Sequence, residues 1–383
     1  MKNLKLNGFY KFLSLLLIAI LVVSAVGFAA SGRESTPTQP DSGDVGNAAD
    51  ETDENKDGND NNTPPKPDED NNTTQDEDTT PPSTPEPEEI FLSKITGLKI
   101  SEEEYNAIPK GMVVDPTRPL YGVSKSDVTV EFPIEDGSSR LVAYTTNSEI
   151  MWKIGSLKAT RNFISNMSNF FGGVVISYGN DDVVTYDAWE TDQITLDLSQ
   201  YSDCYYVENT LYVYTSENMV EIAENRMSAS TSLTGYKASP YVFSEDKISG
   251  VTEATTVSVP YSPNNITNLY YHEGSGKYLY YKGENRRMDM LTGENVSFTN
   301  VFILFANATT YENSDGTELV IDTISGGRGY YISNGGLTEF VWSTNKSGEL
   351  IFKNLMGEAL EVNRGNAYIS YYKASQAANI SFT

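Results

Sequence analysis

The chain has one cysteine, Cys204, and one histidine, His272, in 383 residues. A single cysteine excludes an internal disulfide and any cysteine-based metal cluster. A single histidine excludes a His-rich zinc site and weakens any Ser-His or Cys-His catalytic arrangement. The sequence therefore points to no metal, no cofactor and no catalytic residue. Basic side chains are also scarce: 27 Lys and Arg stand against 53 Asp and Glu, a net charge of -26. A chain this acidic repels phosphate backbones, so no nucleic-acid partner is expected.

The charge is unevenly spread. Lys2, Lys5 and Lys11 precede an uncharged apolar run from Phe12 to Ala30. A positive start, an apolar run and closing small residues (Gly27, Ala29, Ala30) read as an export signal, residues 1–30. At about 1.5 Å per residue, residues 12–30 also nearly span a hydrocarbon core of roughly 30 Å. Left uncleaved, the run would be a membrane anchor, the one membrane contact expected. Ser31 and Gly32 follow it where a lipid-modified cysteine would stand, which argues against a lipid anchor. The expected location is extracytoplasmic: secreted, or held at the cell surface.

Residues 31–91 read as a disordered acidic linker. They are built from Asp, Glu, Asn, Thr and Pro and have almost nothing apolar to offset ordering entropy. Like-charge repulsion and the Pro-rich pieces extend such a segment. Asp53, Asn55, Asp57 and Gly58 resemble the start of a calcium loop, but Pro64 stands where its closing acid belongs, so no calcium site is expected.

The remainder reads as an α+β fold: an α/β domain over 92–236, then a β-rich antiparallel domain over 237–375. In the first, Val128–Pro133 and Arg140–Thr145 flank a turn and form a hairpin, with Pro133 placing its strand at an edge or bulge. Leu157, Phe163, Ile164, Met167, Phe170 and Phe171 follow three-four spacing, which predicts a helix over 156–171 with Ser156 as N-cap. Val174–Gly179 is a short buried strand, and a second helix is expected from Thr215 or Ser216. In the second domain, hairpins are expected around residues 273–276, 334–336 and Gly357, with Val301–Ala306 as a central strand and Ala367–Tyr372 as the last.

One local pattern has chemical interest. In the predicted helix Lys158 and Arg161 share a face of the first turns, where free backbone N–H groups already favour anions. With Ser156 they form a candidate anion site. The alternatives are an internal ion pair with an acidic partner such as Glu131, or an unpartnered pair facing solvent. Paired tyrosines at 270–271, 280–281, 330–331 and 371–372 could line a carbohydrate-binding face, or could simply be strand residues that pack. His272, beside a turn, reads as a surface histidine.

Several stretches resemble the YerB-like family of Gram-positive lipoproteins, whose function is unknown. They are TRPLYGVSKSDVTVEFPIEDGSSRLVAY at Thr117–Tyr144, NVFILFANATTYENSDGTELVIDTISGGRGYYISNG at Asn300–Gly335, Trp342-Ser343 and Asn363-Arg364-Gly365. The resemblance covers residues 93–373 and implies an N-terminal α/β domain and a β-rich C-terminal one. The family's Ile-Gly-Pro-x-Arg-Ser-Ala-Arg stands here as Ile154 to Arg161, with Lys158 for the first Arg, which weakens bidentate gripping of an anion. Two family histidines are replaced, within Ser177–Asn180 and Thr210–Tyr212, as is the lipid-bearing cysteine.

These observations favour a non-catalytic envelope protein that binds a cell-wall polymer or a surface protein. The alternative is an envelope hydrolase or transferase acting on peptidoglycan or polysaccharide, using Glu131 with Glu135, Asp136 or Asp187. A third reading is a structural surface protein with no specific ligand.

Overall fold

The computed structural model describes residues 89–383 apart from 151–152, 180–194, 203–204, 209–211, 217, 220–224, 226–234 and 314–315. The export segment, the calcium-like fragment and Asp187 lie outside the described residues, as does most of the second expected helix, of which Met219 is described and fully buried.

The first half supplies strands β1 (Lys110–Val114), β2 (Val128–Pro133), β3 (Ser139–Thr145), β4 (Val174–Ser177) and β5 (Thr195–Asp197). Its fully described α-helices are single turns: α1 (Glu102–Asn106), opened by a Ser101–Glu104 capping box, α2 (Asn162–Ser165) and α3 (Met167–Phe171). The second half supplies β6 (Thr252–Glu253), β7 (Thr256–Ser262), β8 (Asn265–His272), β9 (Lys277–Lys282), β10 (Asn300–Ala306), β11 (Gly327–Ser333), β12 (Gly336–Thr344), β13 (Leu350–Lys353), β14 (Ala367–Lys373) and β15 (Ser381–Phe382). The described chain is mostly strand, and the helical content expected of an α/β first half is small.

The halves defined by sequence share one sheet. Its order is β6-β12-β11-β10-β14-β2-β3-β1-β4-β5, with β13 on β12. The join is β14, which runs parallel to β10 on one side and to β2 on the other. Val301–Ala306 and Ala367–Tyr372 are thus both interior strands, as their unbroken apolar runs require. A smaller sheet, β9-β8-β7-β15, covers one face of the large one. Alternation sorts the two sides. Met112, Val114, Leu141 and Ile176 pack with Leu269, Tyr278 and Tyr280 of the small sheet. Val113, Val142 and Val175 pack with Phe163, Met167 and Phe171 of the helices.

Two sequence expectations are corrected here. Pro133 does not mark an edge strand: β2 is interior, but its pairing with β14 ends at Glu131, so the missing Pro133 N–H leaves no gap in that ladder. The helix over 156–171 is also shorter than its pattern. Residues 154–160 are extended, and helix begins only at Asn162. The backbone of this segment is committed elsewhere: Leu157 N–H donates to Val213 O (2.7 Å), Lys158 N–H to Val113 O (2.9 Å), and Lys158 O accepts from Tyr178 N–H (3.1 Å). The segment therefore wedges between the carboxyl ends of β1 and β4, which run parallel below it. Leu157 faces the small-sheet core while Phe163 onward face the helix core, so the three-four spacing combined residues from two different environments.

Candidate functional site: a cationic cluster at the end of β1

Ser156 is fully buried and its hydroxyl donates to Pro119 O at 3.2 Å, so it caps no helix and faces no ligand. Lys158 and Arg161, no longer on a helix face, take different carboxylates. Lys158 Nζ lies 3.8 Å from Asp115 Oδ2, and Arg161 grips Glu135 through Nε (3.2 Å) and Nη2. Glu131 is not their partner. It is fully buried between the sheets, where Oε1 accepts from Lys282 Nζ (2.9 Å) and Ser139 Oγ (2.5 Å). Its Oε2 accepts from Tyr368 (2.6 Å), Tyr280 and Thr267 (both 3.0 Å). Desolvation alone would raise this carboxyl; the Lys282 charge and the hydroxyl donors overcome it and hold it below its ordinary value. This network stitches β2, β3 and β14 to β8 and β9, and it is closed to substrate.

The basic pair belongs to a larger group. Asp115, directly after β1, also receives Arg118 Nε at 3.8 Å, while its Oδ1 is occupied by the Thr117 N–H (2.9 Å) and hydroxyl (2.6 Å). Arg287, from the second half, donates to the Arg118 carbonyl and lies within electrostatic reach of Asp115. Arg140, on β3, lies within reach of Asp115, Arg161, Asp136 and Glu135. Five cations (Arg118, Arg140, Lys158, Arg161, Arg287) therefore gather around three carboxylates (Asp115, Glu135, Asp136). Among the described residues the local balance is positive, in a region whose residues 91–383 carry -14 overall.

Among the described residues the pairing at Asp115 is loose. The Asp115 contacts are long and partly solvated, a type of pair worth about 0–1 kcal/mol. Burial pushes the Arg140 and Arg287 guanidinium groups below their ordinary values, and Arg161 adds like-charge repulsion at Arg140. The Nε atoms of both Arg140 and Arg287 are buried without a hydrogen-bond partner. Arg118 and Lys158, each about one-third exposed, give the cluster a solvent-facing side suited to an oxyanion.

Arg118, Arg140 and Arg287 were not singled out in the sequence. Arg118 and Arg140 fall inside the strongest family-like stretch, but neither is near Lys158 in the chain, and Arg287 arrives only through tertiary structure. The other sequence candidates disperse. Tyr280, Tyr331, Tyr371 and Tyr372 are buried in the cores, so the paired tyrosines form no common exposed face. His272 is exposed and bonds Ser275 Oγ at 3.0 Å within its own turn. Glu135 is held by Arg161, and Asp136 is kept low by Ser138 hydrogen bonds against partial burial. Among the described residues no group of His, Cys, Asp and Glu could hold a metal, and no helix is long and apolar enough to cross a membrane.

The sequence and fold define the class. Residues 95–234 and 257–369 match the N-terminal and C-terminal domains of a family described as protein of unknown function DUF3048, together about two-thirds of the chain. The chain belongs to this family. Among its relatives is the Bacillus subtilis (strain 168) protein named "Putative lipoprotein YerB", 23% identical over 320 residues, which cover 78% of this chain and 91% of that protein. The crystal structure of YerB from Bacillus subtilis, NorthEast Structural Genomics target SR586, superposes with a TM-score of 0.66 at 20% identity. It covers 76% of this chain and 99% of the YerB chain, and shows a shared fold.

Proposed function

We propose that this chain is an exported cell-envelope protein whose folded part is a non-catalytic module. Through the cationic cluster at the end of β1 it binds an anionic cell-wall component or surface protein. The observation that carries this reading is the gathering of Arg118, Arg140, Lys158 and Arg287 around Asp115, beside the Arg161–Glu135 pair, with Arg118 and Lys158 partly exposed. Envelope location is supported by the charged-then-apolar start of the sequence and by the lipoprotein name of its Bacillus relative. Residues 31–91 would then act as a spacer that holds the folded part away from the bilayer. Glu131, Glu135 and Asp136 are each engaged in internal contacts, which favours binding over hydrolysis.

The test is retention on purified wall fractions. Wild-type protein is expected to sediment with the wall and to be released by salt. The Arg118→Ala/Lys158→Ala variant, with unchanged circular dichroism, should lose at least about tenfold in retention. Equal retention of both proteins would overturn the proposal.

A further inference from the structure

A cleft of about 400 Å³ opens near the amino-terminal ends of β10 and β14 and shares no residue with the cationic cluster. Separate stretches of chain wall it: the 244–247 loop, the β8–β9 turn at Ser275 and Gly276, Thr299 ahead of β10, the β11–β12 turn at Asn334, and Asn363-Arg364. Its volume lies within the range of about 300–1,000 Å³ that small-molecule sites occupy.

The walls are clamped by one set of groups and leave another set free. Asn363 Oδ1 accepts the Ile248 N–H (3.0 Å) and Asn363 Nδ2 donates to the Ile248 carbonyl (2.8 Å), so one side chain closes the carboxyl end of the 244–247 loop. At the other end of the loop the Ser244 N–H donates to Val362 O (2.9 Å). Arg364 is fixed between Gly97 O (2.8 Å) and Glu245 Oε1 (2.7 Å). Asn334, at φ +51°, donates Nδ2 to the same Ile248 carbonyl (2.7 Å). A carbonyl only accepts, so this bond turns the Asn334 Oδ1 away from Ile248. That oxygen faces Gly276, 4.0 Å from where a Cβ there would sit.

Among the described residues, the Asn334 Oδ1, the Ser244 and Thr299 hydroxyls, the Asp246 carboxylate and the Lys247 ammonium have no hydrogen-bond or ion-pair partner. The lining charges cancel, Glu245 and Asp246 against Lys247 and Arg364. No apolar or aromatic side chain lines the cleft, so it does not suit an acyl chain. Free donors and acceptors without net charge suit hydroxyl groups, each of which both donates and accepts. We propose that this cleft is a second binding site, for an uncharged saccharide unit. Asp246 and the Asn334 Oδ1 accept from its hydroxyls, Lys247 donates, and the Ser244 and Thr299 hydroxyls do either. A free peptide end fits less well: its carboxylate needs a cation to spare, and Arg364 is taken by Glu245 while Lys247 stands beside Asp246. The proposal does not rest on the cationic cluster.

The experiment is a titration of the full chain read by saturation-transfer NMR on the ligand. The probes are N-acetylglucosamine, diacetylchitobiose and glucose, beside the dipeptide alanyl-alanine as a zwitterion. Saccharide binding is expected with a Kd of about 1 mM, weak because few atoms meet an open cleft with no ring to stack on. Thr299→Val/Asp246→Ala removes two groups that have no partner among the described residues. It should weaken saccharide binding at least about fivefold with an unchanged melting temperature. Arg118→Ala/Lys158→Ala should leave saccharide binding as it is. Four results would each overturn the proposal: binding of the dipeptide alone, saccharide binding untouched by Thr299→Val/Asp246→Ala, saccharide binding lost instead in Arg118→Ala/Lys158→Ala, or no saccharide binding at roughly tens of millimolar.

Discussion

Replacing Lys282 by Met tests whether the Glu131 network holds the two sheets together. Lys282 and Glu131 are buried, and the ammonium lies 2.9 Å from Oε1. The substitution keeps the apolar stem and removes the charge, leaving a carboxylate sealed between the sheets with only hydroxyl donors. Removing one partner of a buried ion pair costs about 3–5 kcal/mol. Unfolding entropy of about 2.1 cal/mol/K per residue over roughly 300 residues converts this to a fall in melting temperature of about 5–8 °C. The sign with pH is also fixed. In the wild type the Glu131 pKa is lowered, so its stabilisation is present above the unfolded value and lost as pH falls through the folded one. In the variant, desolvation dominates and raises that pKa, so the deficit should shrink on acidification. A Glu131→Leu/Lys282→Met double variant should recover part of the loss. Urea melts of the three proteins at neutral and mildly acidic pH provide the readout. A Lys282→Met loss below about 1 kcal/mol, or one that does not shrink in acid, would refute the reasoning.

Asp127, buried and accepting from Tyr236 Oη at 2.8 Å, is raised to about 6 because burial outweighs that hydrogen bond. Its ionisation therefore opposes folding: the relative stability present below its unfolded value near 3.8 is lost as pH rises through about 6, an effect of about 3 kcal/mol. Asp127→Asn should thus stabilise the protein at pH 7 and do little at pH 4, measured by thermal melts at both. Asp289 accepts from the Gly122 and Ser124 amides (3.0 and 2.8 Å) and so clamps the loop beside Arg118 to the second half. Asp289→Ala should cost about 2–3 kcal/mol, with loss of hydrogen-exchange protection at those two amides. Gly173 has φ +70°, and a Cβ there would lie 1.8 Å from Pro109 O. Gly173→Ala should therefore block soluble expression, whereas Gly283→Ala, with open space around it, should cost only about 1 kcal/mol.

Strands with a plain signal were legible. The Val128–Pro133 and Ser139–Thr145 hairpin, the turn at residues 273–276 and the unbroken run Val301–Ala306 all stand as read, because alternation and turn chemistry act locally. What periodicity does not carry is which strand lies beside which. Nothing in Ala367–Tyr372 says that the last long strand returns to pair with β2, some 240 positions earlier, and fuses the two sequence halves into one sheet. The 156–171 helix failed for a related reason: Leu157 is apolar at helical spacing, but tertiary hydrogen bonds to Val213, Val113 and Tyr178 hold its segment extended. The candidate site was half legible. Lys158 and Arg161 were found for a reason the fold removes, since they share no helix face, yet both belong to the cationic cluster. Arg118, Arg140 and Arg287 join it only through the β1–β3 pairing, the Asp289 clamp and the β9 surroundings, none of which leaves a local pattern.

The most direct measurement is of the Arg140 and Arg287 guanidinium groups, each of which has one N–H, at Nε, without a partner. In arginine-labelled protein, the Nε–Hε resonances of Arg140 and Arg287 should shift on titration with inorganic phosphate, and the shifts should be lost in Arg118→Ala/Lys158→Ala. If both resonances stay in place at phosphate concentrations that displace the protein from wall material, the cluster is not where the anion binds.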